Sequence, residues 1–347
     1  MPLVRKAVTF SACQAARSSR RTRAILVSNI KTGSLRLGKA PTVAGVAGAG
    51  LGRLCDPEPC EAATDATGDG ITAAPAFPGI ERIEARFHGE AFSPHRHDTY
   101  GLGVTLHGVQ TFQYRGQRRY SQPGNVIILH PDEEHDGGAG TDEALRYRML
   151  YLEPALLRRC LDADGQAGAA LPFVDQPVLA DAELRQVLLP ALSSLEEGLE
   201  DLAVDDLLVR LARGLARHAG AKAKPLGLLA QRQAHRARDY LEANALAPVR
   251  SEDLESVTGL DRYALARHFR ALFATSPHRF LVMRRLQHAR RMITEGEPLA
   301  EVAAATGFAD QSHLHRHFKK AFGMTPGRWA SLVESTEAAS WRRATAG

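Results

Sequence analysis

Between Ala305 and Pro326 the sequence reads ATGFADQSHLHRHFKKAFGMTP. Three histidines, one arginine and two lysines stand there beside Phe308, Leu314, Phe318 and Phe322, which recur at near-helical spacing. A helix with that pattern has an apolar face for a core and an opposite face of hydrogen-bond donors and positive charge. Arginine can pair with guanine, glutamine with adenine, and lysine with phosphate oxygens. This is the chemistry of reading a duplex.

An earlier stretch, VTGLDRYALARHFRALFATSP from Val257 to Pro277, repeats the text. Thr258-Gly259 aligns with Thr306-Gly307, 48 residues on. One inserted residue, Ala309, moves the later correspondences to 49. Asp261 then matches Asp310, Arg267-His268-Phe269 matches Arg316-His317-Phe318, and Pro277 matches Pro326. Each copy predicts a short helix, a tight turn and a longer helix. Gly259 and Gly307 suit the left-handed residue that ends the first helix. Asp261 and Asp310 suit the N-cap of the second. Ser251 is the expected cap of the first helix in the first copy, and Pro298 falls near the first turn of its counterpart.

On a helical wheel Leu265, Phe269, Leu272 and Phe273 share one face of the first copy, with Tyr263, Arg267 and Arg270 opposite. In the second copy Leu314, Phe318, Ala321 and Phe322 face inward. Gln311, Ser312, Arg316 and Lys319 face outward. His268 and His317 flank the buried faces, while His313 and His315 fall nearer phosphate. Pro277 to Ile293 reads as one helix joining the copies, roughly 25 Å long at 1.5 Å per residue. That strut, plus the width of two modules, suits successive major grooves about 34 Å apart.

The stretch from about Leu229 to Ala330 resembles the double helix-turn-helix domain of the AraC/XylS family of bacterial transcription regulators. ARRMITEGEPLAEVAAATGFADQSHLHRHFKKAFGMTPGRW carries most of the likeness. The resemblance implies base contacts at Tyr263, Ala266 and Arg267 in the first module and at Gln311, Ser312 and Arg316 in the second. Arg270, His315 and Lys319 are the candidates for the DNA backbone.

A second group of chemically active residues lies upstream, in SPHRHDTYGLG and PGNVIILHPDEEHDGG. His95 and His97 are two apart in an extended segment, so both can face one way. His135 follows a later strand. Three imidazoles could make a facial metal site. The pattern resembles the cupin fold, whose metal triad often includes a glutamate a few residues after the second histidine. Here Asp98, Thr99, Tyr100 and Gly101 follow instead, so His95, His97 and His135 are weak metal candidates and no cofactor is expected. The resemblance is closer to the effector-binding cupin that precedes the DNA-binding domain in many such regulators. His95, His97, Tyr100, His135 and Asp136 are then the expected effector contacts. Arg146 and Arg148 alternate on a strand; one or both could meet an anionic effector, and surface exposure is the default expectation.

The elements around these residues follow from periodicity. From Phe77 the pattern has period two: Ile83, Ala85 and Phe87 alternate with Arg82, Glu84 and Arg86. Short strands with glycine turns predict a small barrel or sandwich over 77–180. The 181–220 segment predicts two helices, one bearing Leu184, Val187, Leu188, Leu192 and Leu195 with a candidate kink at Pro190, the other Leu207, Leu208, Leu211 and Leu215. They suit packing on the barrel or dimerisation. Residues 221–228 read as a linker, 229–333 as the all-helical DNA-binding domain and 334–347 as a tail. Residues 1–76 are rich in small residues and read as a disordered basic extension. The fold class is therefore multidomain: a small cupin-like barrel with a helical pair, then two helix-turn-helix modules.

Composition agrees. Of 347 residues, 44% are hydrophobic and 24% charged, as in ordinary globular chains. The net charge of +5 conceals an acidic middle: residues 41–225 hold 17 basic and 27 acidic side chains, and residues 226–333 hold 16 and 10. A basic third joined to an acidic body suits a polyanion partner. Four scattered cysteines without a C-x-x-C pair give no disulfide framework. No apolar run is long enough for a membrane. The expected protein is a cytoplasmic, effector-responsive transcription regulator that is not an enzyme. Its expected partners are operator DNA, a small molecule, a second copy and, where it activates, RNA polymerase. The alternatives are a metal-dependent cupin enzyme carrying a DNA-binding domain, and a ligand-independent DNA binder.

Arg316→Ala should weaken operator binding by about 1–3 kcal/mol while sparing random DNA. Lys319→Ala should weaken both equally and flatten the salt dependence. Titrations on both DNAs at several salt concentrations check the pair, and equal losses from Arg316→Ala would assign it to phosphate.

Overall fold

The computed structural model describes residues 68–220 and 225–335. The expected extension is therefore seen only from residue 68 onward, and half of the linker and most of the tail lie outside the described residues. Strands are β1 (Gly70–Ala73), β2 (Ile80–Phe87), β3 (Glu90–His95), β4 (Tyr100–His107), β5 (Gln110–Tyr114), β6 (Gln117–Ser121), β7 (Val126–Leu129), β8 (His135–Ala139), β9 (Leu145–Leu152), β10 (Val178–Leu179) and β11 (Val333–Ser335). Helices are α1 (Pro154–Ala163), α2 (Ala182–Ser193), α3 (Asp201–His218), α4 (Leu228–Ala243), α5 (Ser251–Thr258), α6 (Arg262–Phe273), α7 (Pro277–Thr294), α8 (Leu299–Ala305), α9 (Gln311–Phe322) and α10 (Pro326–Leu332).

The strands form two sheets, β10-β7-β4-β9-β2-β1-β11 and β3-β8-β5-β6. Period-two alternation divides the larger sheet. Phe87, Ile127, Leu129, Tyr147 and Met149 face the core shared with the smaller sheet. Tyr100, Leu102, Val104, Ile128, Leu150 and Leu152 face the opposite way, against α1, α2 and α3. Gly103 is required where β4 crosses β9: a Cβ there would lie 2.6 Å from the Arg148 carbonyl oxygen.

The expected leucine stripes of α2 and α3 are largely spent on this outer face. Leu184, Leu188, Leu192, Leu211 and Leu215 are all buried there. Leu195 lies beyond the end of α2, and Pro190 sits in that helix's last turn. Arg82, expected at a polar position of β2, is buried. Its guanidinium donates to the carbonyls of Ala191 and Ser194 at 2.9 Å and of Glu197 at 2.5 Å. Arg148 donates to Leu192 and Ser193 and pairs with Glu84 at 2.6 Å. Two cations thus satisfy the orphan carbonyls at the end of α2. Arg146 is exposed, as expected.

Three elements depart from the sequence reading. Strand β1 starts at Gly70, inside the stretch read as disordered, and pairs with β2. Helix α1 follows β9 after one residue, with Pro154 at its start. Its Leu156, Leu157 and Leu161 carried the signal, but the preceding strand masked it. At the other end β11 pairs in parallel with β1, Val333 opposite Ile71. The chain after the last helix thereby joins the barrel sheet.

The helix-turn-helix chemistry is as expected, with one boundary shifted. Gly259 and Gly307 have φ of 70° and 75°. Asp261 accepts from the backbone N–H groups of Tyr263 and Ala264, and Asp310 from that of His313. Arg250, not Ser251, caps α5; Ser251 is its first helical residue, and the Asp253 carboxylate accepts from the Arg250 N–H. Pro298 caps α8. The first module packs as its own cluster around Phe269, Phe273, Phe280 and Leu281. The second does not: Leu286, Val302, Leu314, Phe318 and Trp329 join the barrel interior in one cluster.

Charges line that seam. On α7, Arg284 is 5% exposed and pairs with Asp98 at 2.9 Å and with Glu153. Arg279 meets Asp132 at 2.6 Å, and Arg290 meets Glu81 at 2.6 Å while lying over the Phe322 and Trp329 rings. Removing one partner of a buried pair leaves an uncompensated charge, at a cost of about 3–5 kcal/mol. Arg284→Met should therefore lower the urea midpoint strongly, and adding Asp98→Asn should recover part of the loss.

Candidate functional site

Two sets of residues carry chemistry. The first is the outward face of α6 and α9. Tyr263 is 72% exposed, and Arg267, Arg270, Gln311, Ser312, Arg316 and Lys319 are exposed as well. Ala266 and His315 are half-buried. The inward residues are buried, apart from Phe322, which is half-buried beneath Arg290. His317 contacts the Phe308 and His313 rings, and burial pushes its imidazole down to about 4. It serves the module core. Helix α7 spans 18 residues, about 27 Å.

The second set is the histidine cluster. His95 and His135 are paired across β3 and β8, with ring centroids 4.3 Å apart. The His97 ring lies 4.9 Å from that of His135 and 5.2 Å from that of Tyr151. Each Nδ1 sits against a nearby carbonyl: His95 with Ser93 at 2.9 Å, His97 with Thr99 at 2.8 Å and His135 with Glu133 at 3.0 Å. A carbonyl only accepts, so each Nδ1 carries the proton. Burial holds His95 and His97 well below the ordinary imidazole value and takes His135 down to about 4. The rings are neutral at pH 7 and leave each Nε2 as an acceptor. His97 Nε2 is buried without a hydrogen-bond partner.

Beside the cluster is a cavity of about 30 Å³, lined by His95, His135, Asp136, Phe92, Gln110, Phe112, Met149, Tyr147 and Tyr151 among others. Of the five expected effector contacts, His95, His135 and Asp136 meet here. His97 stands against two of the lining rings. Tyr100 does not join them: it points to the helix-covered face, where its hydroxyl donates to the Pro172 carbonyl at 2.9 Å. The period of two explains this, since Tyr100 alternates with Gly101 on β4. Sequence reasoning missed Phe112, Tyr147, Met149 and Tyr151, although their alternation on β5 and β9 could have marked them as inward. The cupin likeness raises a bound metal; among the described residues no group of three or more His, Cys, Asp or Glu side chains is disposed to hold an ion.

The cavity adjoins the second DNA-reading module. The Ser93 N–H donates to the Gly323 carbonyl at 2.8 Å, and the Arg96 N–H to that of Lys320 at 3.1 Å. Gly323 closes α9 with φ of 69°, and a Cβ there would lie 2.7 Å from His95 Nδ1.

A barrel enclosing a small cavity, fused to two helix-turn-helix modules, defines a transcription regulator that couples a ligand-binding domain to a DNA-binding one. An AraC-like ligand binding domain matches residues 77–212, and a helix-turn-helix domain matches residues 254–331. The chain belongs to the AraC family of transcriptional regulators. It is similar to the uncharacterized HTH-type transcriptional regulator YbfI of Bacillus subtilis, 26% identical over 67% of this chain and 86% of that one. The transcriptional activator RhaS of Yersinia pestis is 25% identical over 70% and 91%. ToxT of Vibrio cholerae shares the fold at TM-score 0.52 and 12% identity, covering 73% of this chain and 95% of that one, in a structure with a bound unsaturated fatty acid.

At the end of β7, His130 accepts from the Val174 N–H through Nε2 and meets the Tyr114 hydroxyl through Nδ1, both at 2.9 Å. Burial takes it to about 4 from an ordinary 6.5. Between those values the unfolded chain binds more protons, so stability rises with pH across the window and is lost as pH falls from 6.5 toward 4. Urea midpoints should drop steadily over that range, and His130→Gln should flatten the dependence.

Proposed function

We propose that this regulator binds its effector in the cavity beside His95, His97 and His135, and that occupancy is felt at the second DNA-reading helix. The observation that carries the reading is the pair of backbone hydrogen bonds to the end of α9 from Ser93 on β3 and from Arg96 just after it, on either side of His95. The cavity is small, so a ligand larger than a few atoms must move the wall formed by Phe92 and β3. That movement strains the bonds to Gly323 and Lys320. An effector shifts the equilibrium only by its difference in affinity for the two arrangements, and this contact supplies such a difference.

In this reading residues 77–180 sense, and 229–333 read the operator through Tyr263, Ala266, Arg267, Gln311, Ser312 and Arg316. Arg270, His315 and Lys319 hold its backbone. Among the described residues no helix is long and apolar enough to cross a membrane, and we place the work in the cytoplasm, by binding rather than catalysis. The 181–220 hairpin contributes a dimer contact through the part of α3 that the barrel leaves uncovered, where Leu202 is 83% and Val209 38% exposed. Asp205 and Arg213 stand equally far from Val209 along α3, so an antiparallel second copy brings unlike charges together. RNA polymerase is the natural further partner if the regulator activates.

Operator selection from random duplexes with the purified chain, followed by footprinting, tests the reading. The expected product is two short motifs about one helical turn apart. Weak, steeply salt-dependent binding without enrichment would reject it. Gly323→Ala should shift the operator Kd measured without effector while leaving the selected sequence unchanged.

A further inference from the structure

The cavity's side chains also define what it can hold. Gln110 Oε1 is buried without a partner and lines it. His95 and His135 bring imidazoles whose Nδ1 protons are committed to Ser93 and Glu133, so each presents Nε2 as an acceptor. Asp136 adds a carboxylate, held by the Gln113 N–H at 2.5 Å. The lining holds no lysine or arginine. Arg279, whose charge is felt at His95 and His97, is matched by Asp132 at 2.6 Å. Four rings, Phe92, Phe112, Tyr147 and Tyr151, complete the wall. The two tyrosine hydroxyls serve in either role.

Such a site is rich in acceptors and π faces; its donors are the Gln110 amide and two tyrosine hydroxyls, and none of them carries a positive charge. An anionic head would meet lone pairs and a carboxylate, with no positive charge to offset its desolvation. An ammonium head brings three donors and no lone pair. It also gains from ring faces when desolvated. The present cavity, about 30 Å³, takes a group about the size of one water molecule. Resting on the reading of this cavity as the effector site, we infer that the effector is a small organic amine, bound as its ammonium with the head among Gln110, Asp136 and the histidine Nε2 atoms.

The test uses the full chain at pH 7 and three probes of one shape: n-propylamine, 1-propanol and sodium propionate, at matched ionic strength. Binding is read by melting temperature and by the ¹⁵N shifts of the histidine side chains, where donation to Nε2 is seen directly. Gly137→Val supplies a filled cavity, since a Cβ there meets only Phe92, at 4.0 Å. Gln110→Glu supplies a second charged acceptor. The expected result is a response to propylamine over the other two, abolished by Gly137→Val and roughly tenfold tighter in Gln110→Glu, the size of one charge-assisted hydrogen bond. Preference for propionate or propanol that Gly137→Val still abolishes overturns the amine and leaves the effector site standing. No response that Gly137→Val removes overturns both. A stoichiometric metal in the purified chain would claim the Nε2 lone pairs and also overturn the amine.

Discussion

The buried charge of Arg284 is the constraint around which the two halves of the chain are arranged. It projects from the helix that joins the DNA-reading modules and reaches Asp98 and Glu153 of the barrel. A guanidinium taken out of water needs its counter-charges in place, so α7 has few ways to lie against the barrel. Burial alone would lower its proton affinity, yet the facing carboxylates hold it above the ordinary arginine value. Asp98 shows the other side of the bargain: burial raises its carboxyl, and Arg284 opposes that rise. Once α7 is held, the second module shares its core with the barrel, and Arg279 and Arg290 add pairs along the same helix.

This arrangement brings the cavity and the DNA-reading surface into one mechanical unit. The end of α9 hangs on β3 and the residue after it by two backbone hydrogen bonds. The outward residues of the same helix remain exposed. Packed interiors transmit displacement because they have little empty volume to absorb it. In the function proposed above, a ligand that moves β3 acts on α9 without touching its outward face. The first module keeps a core of its own. The two modules are alike in sequence and unlike in mechanical setting.

Much of the DNA-binding half was legible in the chain itself. The aspartate caps, the left-handed glycines and the buried faces of α6 and α9 depend on contacts within a few residues, so spacing alone reports them. The linking helix was legible for the same reason. The barrel was legible as alternating strands, and three of its five expected effector contacts meet at one cavity. Tyr100 faces away from that cavity; spacing gives the alternation along a strand but not which of two covered faces is which. The burial of Arg82 was not legible, because its partners, carbonyls at and beyond the end of α2, lie more than a hundred positions away.

By itself the sequence determined the local grammar: which segments are helix or strand, where the helices are capped, and which face of each reading helix is polar. Only the tertiary structure decided that the leucines of α2 and α3 cover a sheet, that β11 returns to β1, and that Gly323 lies against His95. The physical reason is range. Capping and amphipathic periodicity are encoded within a few residues, whereas burial, shared cores and buried ion pairs depend on partners brought together only when distant segments pack.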